Sequence, residues 1–128
     1  MQENIRHNRV YAKVIPVLGD SKVIIETKLQ QCADRVLMPL PEKALEYLPY
    51  AVSALKACGG WVHFQSFEYG GKNEDPEEKA KMKLAEKLSA LGVDFSLPFS
   101  RVVRKVGPNW HQVAVDINAK RVWQVLIV

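Results

Sequence analysis

The sequence contains no stretch of roughly 18 consecutive apolar residues, so hydropathy offers no transmembrane helix. Its opening, Met1-Gln2-Glu3-Asn4-Ile5-Arg6-His7-Asn8, lacks the apolar core of a secretory signal, and a cytoplasmic location is expected. Cysteine is scarce. Cys32 and Cys58 have no metal-ligand spacing, and both read as reduced, structural residues. The three histidines are scattered, without ligand-spaced acids or cysteines, which speaks against a metal centre. No Ser-His-Asp or Cys-His arrangement is suggested. Paired glycines occur only as Gly59-Gly60, ahead of a strand, and Gly70-Gly71, in a loop, so neither supplies a G-x-G-x-x-G phosphate turn. Acids run out after Phe95, where Arg101, Arg104, Lys105, Lys120 and Arg121 face only Asp116. That imbalance is compatible with a nucleic-acid-facing edge centred on Arg101, Arg104 and Lys105, and equally with a solvated surface.

What is present fits one α/β domain spanning residues 1–128. The chain is 128 residues long and 48% hydrophobic, enough for a real core. Residues 2–8 read as the last turns of a helix. Val14–Leu18 reads as a buried strand ending in the polar Gly19-Asp20 turn, and Asp20 or Ser21 can cap a helix reaching about Leu29. Arg35–Met38 reads as a second strand, stopped by Pro39-Leu40-Pro41. A helical stretch follows from Glu42 to about Ala57, with Leu45, Leu48, Val52 and Leu55 on one face and a kink or restart at Pro49. Trp61–Phe67 alternates as a strand. Asp75-Pro76-Glu77-Glu78 starts a helix that runs to about Leu91, with Leu84, Leu88 and Leu91 inward. Phe99–Val106 and Trp110–Asn118 form a hairpin around Gly107-Pro108-Asn109, and Val122–Val128 is apolar enough for one more strand. His63 and His111 read as structural, and Asp34 as a turn-former. Short apolar strands that alternate with helices and stop at small or polar residues imply parallel strands with a ligand crevice at their carboxyl ends.

Several elements taken together resemble a known family. They are Asn4-Ile5 with Asn8, Val14 to Asp20, Asp34-Arg35-Val36-Leu37-Met38-Pro39-Leu40-Pro41, Gly59-Gly60-Trp61-Val62-His63-Phe64 and Trp110-His111-Gln112-Val113-Ala114-Val115-Asp116. The chain is similar to the C-terminal half of the archaeal and eukaryotic tRNA guanine-37 N1-methyltransferases, relatives of the wybutosine-pathway aminocarboxypropyltransferases. The resemblance implies a partial Rossmann-like class I methyltransferase sheet with a C-terminal antiparallel hairpin, lacking the first two strands and the glycine-rich loop. It implies S-adenosylmethionine as cofactor and tRNA as partner. Gly19 and Asp20 would lie beside the adenine, and Met38, Pro39, Leu40 and Pro41 beside the methionine moiety and the target base. Many of these methyltransferases carry asparagine where this chain has Pro39. No catalytic residue is assigned.

The implied function is that of a fragment or shortened form of an enzyme acting on guanosine 37, inactive alone and binding cofactor weakly or not at all. Alternatives are aminocarboxypropyl transfer in wybutosine synthesis and a non-catalytic dimerisation or interaction module. Without the first two strands, Arg35–Met38 would expose an apolar edge. The expectation is that Val14–Leu18 moves in beside it, that two chains pair across it as a homodimer, or that Val122–Val128 covers it.

Overall fold

The computed structural model describes residues 2–9 and 12–121. Among the described residues, four helices and four strands follow one another in a mixed α/β arrangement. They are α1 (Gln2–His7), α2 (Ser21–Lys28), β1 (Arg35–Leu37), α3 (Ala44–Ala54), β2 (Gly60–Tyr69), α4 (Pro76–Ala90), β3 (Val93–Gly107) and β4 (Trp110–Arg121). The sheet order is β1-β2-β4-β3, with β1 parallel to β2 and the other pairs antiparallel. The expected tail strand Val122–Val128 lies outside the described residues.

Local chemistry explains the helix starts. The Asp20 carboxylate accepts from the Lys22 amide at 3.0 Å and caps α2. Asp75 does the same for α4 through Glu77, with Pro76 at the first helical position, where its missing N–H is harmless. One face of the sheet carries the core. Val62 and Phe64 of β2 and Val113, Val115, Ile117 and Ala119 of β4 pack against Leu48, Ala51 and Val52 of α3 and Ala80, Leu84 and Leu88 of α4. The other face of β2 presents the half-buried Trp61, His63, Gln65 and Phe67, as strict alternation requires.

The structure corrects several expectations. Val14–Leu18 is not a strand: it has no ladder partner and lies exposed, with Ile15 83% and Leu18 101% accessible. An all-apolar strand is stable only between neighbours that take up its amides, and the described residues supply none beside it. It does not move in beside β1, whose outer edge is unpaired among the described residues and whose Leu37 is 71% exposed. Helix α3 runs through Pro49 without a restart. The proline removes one amide, but Leu48, Ala51 and Val52 around it are pinned by the sheet. Leu45 and Leu91, expected inward, are each more than a third exposed, because α3 begins only at Ala44 and Leu91 lies at the cap of α4. Cys32 and Cys58, expected to be reduced, are free thiols, and both are exposed.

Candidate ligand site at the carboxyl end of the first strand

Strand β1 is short because it is followed at once by Pro39 and Pro41, which fix φ and donate no amide to a ladder. Its last rung is closed by the Met38 amide donating to the His63 carbonyl at 3.0 Å. The chain then turns across the carboxyl end of the strand toward α3. On the other side, Gly19 takes φ +147°, a conformation glycine adopts freely, and a Cβ there would lie 3.2 Å from Ile24. The chain thus bends sharply into Asp20 and α2.

Between these two bends lies a cavity of about 610 Å³. That is within the ~300–1,000 Å³ typical of small-molecule sites. Gly19, Asp20, Met38, Pro39 and Leu40 all line it, so five of the six expected ligand residues converge. Pro41 does not. It lines a smaller neighbouring recess with Leu45, Phe64 and Glu68. Tyr47 and Tyr50 form the α3 wall of the larger cavity.

A polar clamp holds the two helical walls together. The Lys22 ammonium of α2 donates to Glu46 of α3 at 2.9 Å and sits 4.6 Å from the centre of the Tyr47 ring and 5.6 Å from that of Tyr50. The hydrogen bond from Lys22 holds the Glu46 carboxyl below the usual carboxylate range, and the same bond raises the Lys22 ammonium. A depressed carboxyl contributes its link at neutral pH and loses it as pH falls through the depressed value. The clamp should therefore open only in acid, below the ordinary carboxylate range. A pH series of amide and aromatic NMR shifts at Lys22 and Tyr47 checks this, and Glu46→Gln should abolish the transition.

Asp20 has two uses in this geometry. One carboxylate oxygen caps α2, and the residue lines the cavity. Asp20→Ala should cost about 1 kcal/mol of stability through the lost cap, read by thermal melting. Restoration of stability but not of ligand affinity by Asp20→Ser would separate the two uses.

The basic residues do not gather at this cavity. Arg101 and Arg104 of β3 stand opposite Ala114 and Gln112, whereas Lys105 stands opposite His111 on the other face. The split follows from the register shift between Val102 and Arg104. Strand β3 is also at the far edge from β1, three strand spacings or about 14 Å away. The Arg104 Nε donates to Gln112 at 2.9 Å, and Gln112 in turn bonds to Gln65.

Sequence reasoning missed one constellation. His63 Nδ1 lies 2.7 Å from Asp116 Oδ1, and His63 Nε2 lies 2.8 Å from Arg35 Nη1. A guanidinium only donates, so Nε2 accepts and the ring proton sits on Nδ1, facing Asp116. The residues come from three strands, and all three belong to quoted motifs: Arg35 to Asp34–Pro41, His63 to Gly59–Phe64 and Asp116 to Trp110–Asp116. The signal was there in the motifs, but the register pairing His63 with Asp116 was not. His63 is thus hydrogen-bonded through both ring nitrogens, and its carbonyl accepts the Met38 amide. Asp34 accepts the Trp61 amide through its carbonyl and pairs with Lys56 at 3.0 Å. Among the described residues, no cluster of His, Cys, Asp and Glu could hold a metal, and no helix is long and apolar enough to cross a membrane.

Comparison with known proteins gives this geometry a context. The family profile described as the TRM5/TYW2 methyltransferase domain matches residues 1–94. The tRNA (guanine(37)-N(1))-methyltransferase Trm5b of Pyrococcus abyssi is 35% identical over 92% of this chain, which covers 33% of that protein. The crystal structure of wild-type Trm5b superposes with a TM-score of 0.77 at 32% identity, over 93% of this chain and 33% of that one. The tRNA 4-demethylwyosine(37)-methyltransferase Taw21 of Saccharolobus solfataricus is 34% identical over 93% of this chain and 40% of its own. The structure of M. jannaschii TYW2 in complex with AdoMet superposes with a TM-score of 0.73 at 26% identity, over 94% of this chain and 52% of that one. The chain thus spans about a third to two-fifths of the length of the curated relatives it matches.

Proposed function

Because the chain belongs to the TRM5/TYW2 methyltransferase family, we propose that it carries part of an S-adenosylmethionine site of a tRNA-modifying enzyme acting on guanosine 37. The observation that supports this reading is the convergence of Gly19-Asp20 with Met38-Pro39-Leu40 on one cavity. The fit to the cofactor is good on one side only. Asp20 offers a carboxylate acceptor for an exocyclic amine, and Met38, Pro39 and Leu40 offer a rigid apolar wall. Nothing in the 128 residues provides a glycine-rich turn for the rest of the molecule.

S-adenosylmethionine would supply an electrophilic carbon on its sulfonium. The contribution of this chain is orientation. A proline-fixed turn, anchored where the Met38 amide donates to the His63 carbonyl, would hold one side of the site in a fixed place, and rates of in-line transfer depend steeply on such register. With only part of the cofactor's surroundings present, affinity should be weak. Calorimetry with S-adenosylmethionine at micromolar concentration should give no heat. Micromolar binding would show instead that this chain holds the whole cofactor.

Methyl transfer is the favoured chemistry, given the methyltransferases Trm5b and Taw21 among the relatives. The mass of the modified nucleoside in a tRNA digest separates it from aminocarboxypropyl transfer. Arg101 and Arg104 are the cations proposed to approach tRNA, with Lys105 facing the opposite side of the sheet.

A second reading rests on the outer edge of β1, unpaired among the described residues, and on the exposed Leu37 in that strand. An uncovered apolar edge is a template for another strand. We propose that two copies pair there, which size-exclusion chromatography with light scattering would show as a dimer. A monomer at high micromolar concentration would reject it, and a stable dimer without cofactor or tRNA binding would favour a non-catalytic role.

A further inference from the structure

A separate recess of about 460 Å³ lies at the carboxyl end of β2, beneath α4. Its floor is Glu68, which is only 3% exposed. One carboxylate oxygen accepts from the Ser66 hydroxyl at 3.1 Å and the other from the Lys83 ammonium at 2.7 Å. Each oxygen still has a lone pair to offer. One wall is the Tyr69–Trp110 pair, edge to face with centroids 5.5 Å apart, and Trp110 is 46% exposed. Met82 of α4, 70% exposed, also lines the recess. Such an exposed aromatic and a thioether around a buried carboxylate are unusual company for a plain surface groove.

The charges define the ligand. Both cations here are already taken, Lys83 by Glu68 and Lys79 by Glu74, while Glu86 adds a further acid. An anion such as phosphate therefore has little to gain. A flat ring that stacks on indole and points N–H groups at a carboxylate has both surfaces matched.

We propose that this recess is a nucleobase subsite, selective for a base with adjacent N–H donors on one edge, as guanine has. It shares no residue with the larger cavity. The recess lined by Pro41 lies between the two and shares Glu68 and Lys83 with this one. The base held here is accordingly a neighbour of the one presented to the Met38–Pro41 turn, on the same RNA strand. The inference rests on the reading that this protein handles RNA.

Titration of the whole chain with GMP, AMP and CMP, followed by amide NMR shifts, tests it without any cofactor. GMP should bind about tenfold more tightly than AMP, and Glu68→Gln should erase that preference. Trp110→Ala should weaken all three nucleotides by tenfold or more. Inorganic phosphate at equal concentration should not displace GMP. Equal binding of GMP and AMP, displacement by phosphate, or wild-type affinity in Trp110→Ala would each overturn the proposal. Trp110 is partly exposed, so its variant and the phosphate competition decide the matter even if Glu68→Gln fails to fold. Loss of GMP binding beside intact cofactor contacts would sink this inference alone. GMP binding with no cofactor-induced shifts in the Gly19–Leu40 cleft at millimolar concentration would sink the cofactor-site reading instead.

Discussion

Replacing Gly60 by valine should remove the parallel pairing of β1 with β2 and destabilise the protein by ~3 kcal/mol or more. The reason is a close approach of backbone to backbone. A Cβ built at Gly60 would lie 2.4 Å from the Asp34 carbonyl oxygen and 2.9 Å from a methyl of Leu55. The Asp34 carbonyl cannot retreat without breaking its hydrogen bond from the Trp61 amide at 2.9 Å, the first contact holding β1 against β2. Strand β1 has three residues, so it has few other bonds to keep it in place. The consequence reaches the candidate site, because the Met38–Pro41 turn hangs from the end of that strand. Gly71→Ala is the control. There the added carbon meets the flexible carboxylate of Glu74 at 3.1 Å, and stability should change by less than about 1 kcal/mol. Urea unfolding of the two variants checks the contrast, and equal midpoints would contradict it.

The second large effect is expected at Leu48. Its side chain is fully buried between α3 and the sheet, in the cluster that includes Val62, Phe64 and Leu84. Leu48→Ala should cost about 2–5 kcal/mol through lost burial and the cavity left behind. Native stabilities are ~5–15 kcal/mol in total, so the melting temperature should fall by on the order of 10–20 °C. The same helix carries Ala44, Tyr47, Tyr50 and Ala51 into the wall of the ligand cavity. Loosening α3 should therefore also weaken whatever that cavity holds, although Leu48 does not line it. A melting temperature within a few degrees of wild type would show that the helix is not braced as described.

Some of this was legible in the residues and some could not be. The start of α4 was readable because Asp75, Pro76 and Glu78 each satisfy a local requirement of a helix terminus. The inward faces of β2 and β4 were readable because alternation at Val62-Phe64-Ser66 and Val113-Val115-Ile117 depends only on the pleat. Val14–Leu18 misled because its composition describes a strand between two others, and composition does not say whether those neighbours are there. At Pro49 the restart offered as one alternative does not occur: α3 continues through the proline, with Leu48 and Val52 beside it buried in the core. Within the candidate site, Gly19, Asp20 and Met38–Leu40 could be named because they sit in motifs. Lys22, Glu46, Tyr47 and Tyr50 could not, since their meeting depends on how α2 and α3 lie against each other. The His63–Asp116 bond depends likewise on a strand register that no local pattern specifies.

The central claim is that the Gly19-Asp20 bend and the Met38–Leu40 turn are two sides of one cofactor-binding cleft. The most direct measurement is amide NMR shift mapping of the chain with S-adenosylhomocysteine at millimolar concentration. Shifts confined to residues 19–25, 36–44 and the adjoining face of α3, and diminished by Asp20→Ala, are predicted. Shifts centred elsewhere, or none at any concentration reached, would contradict it.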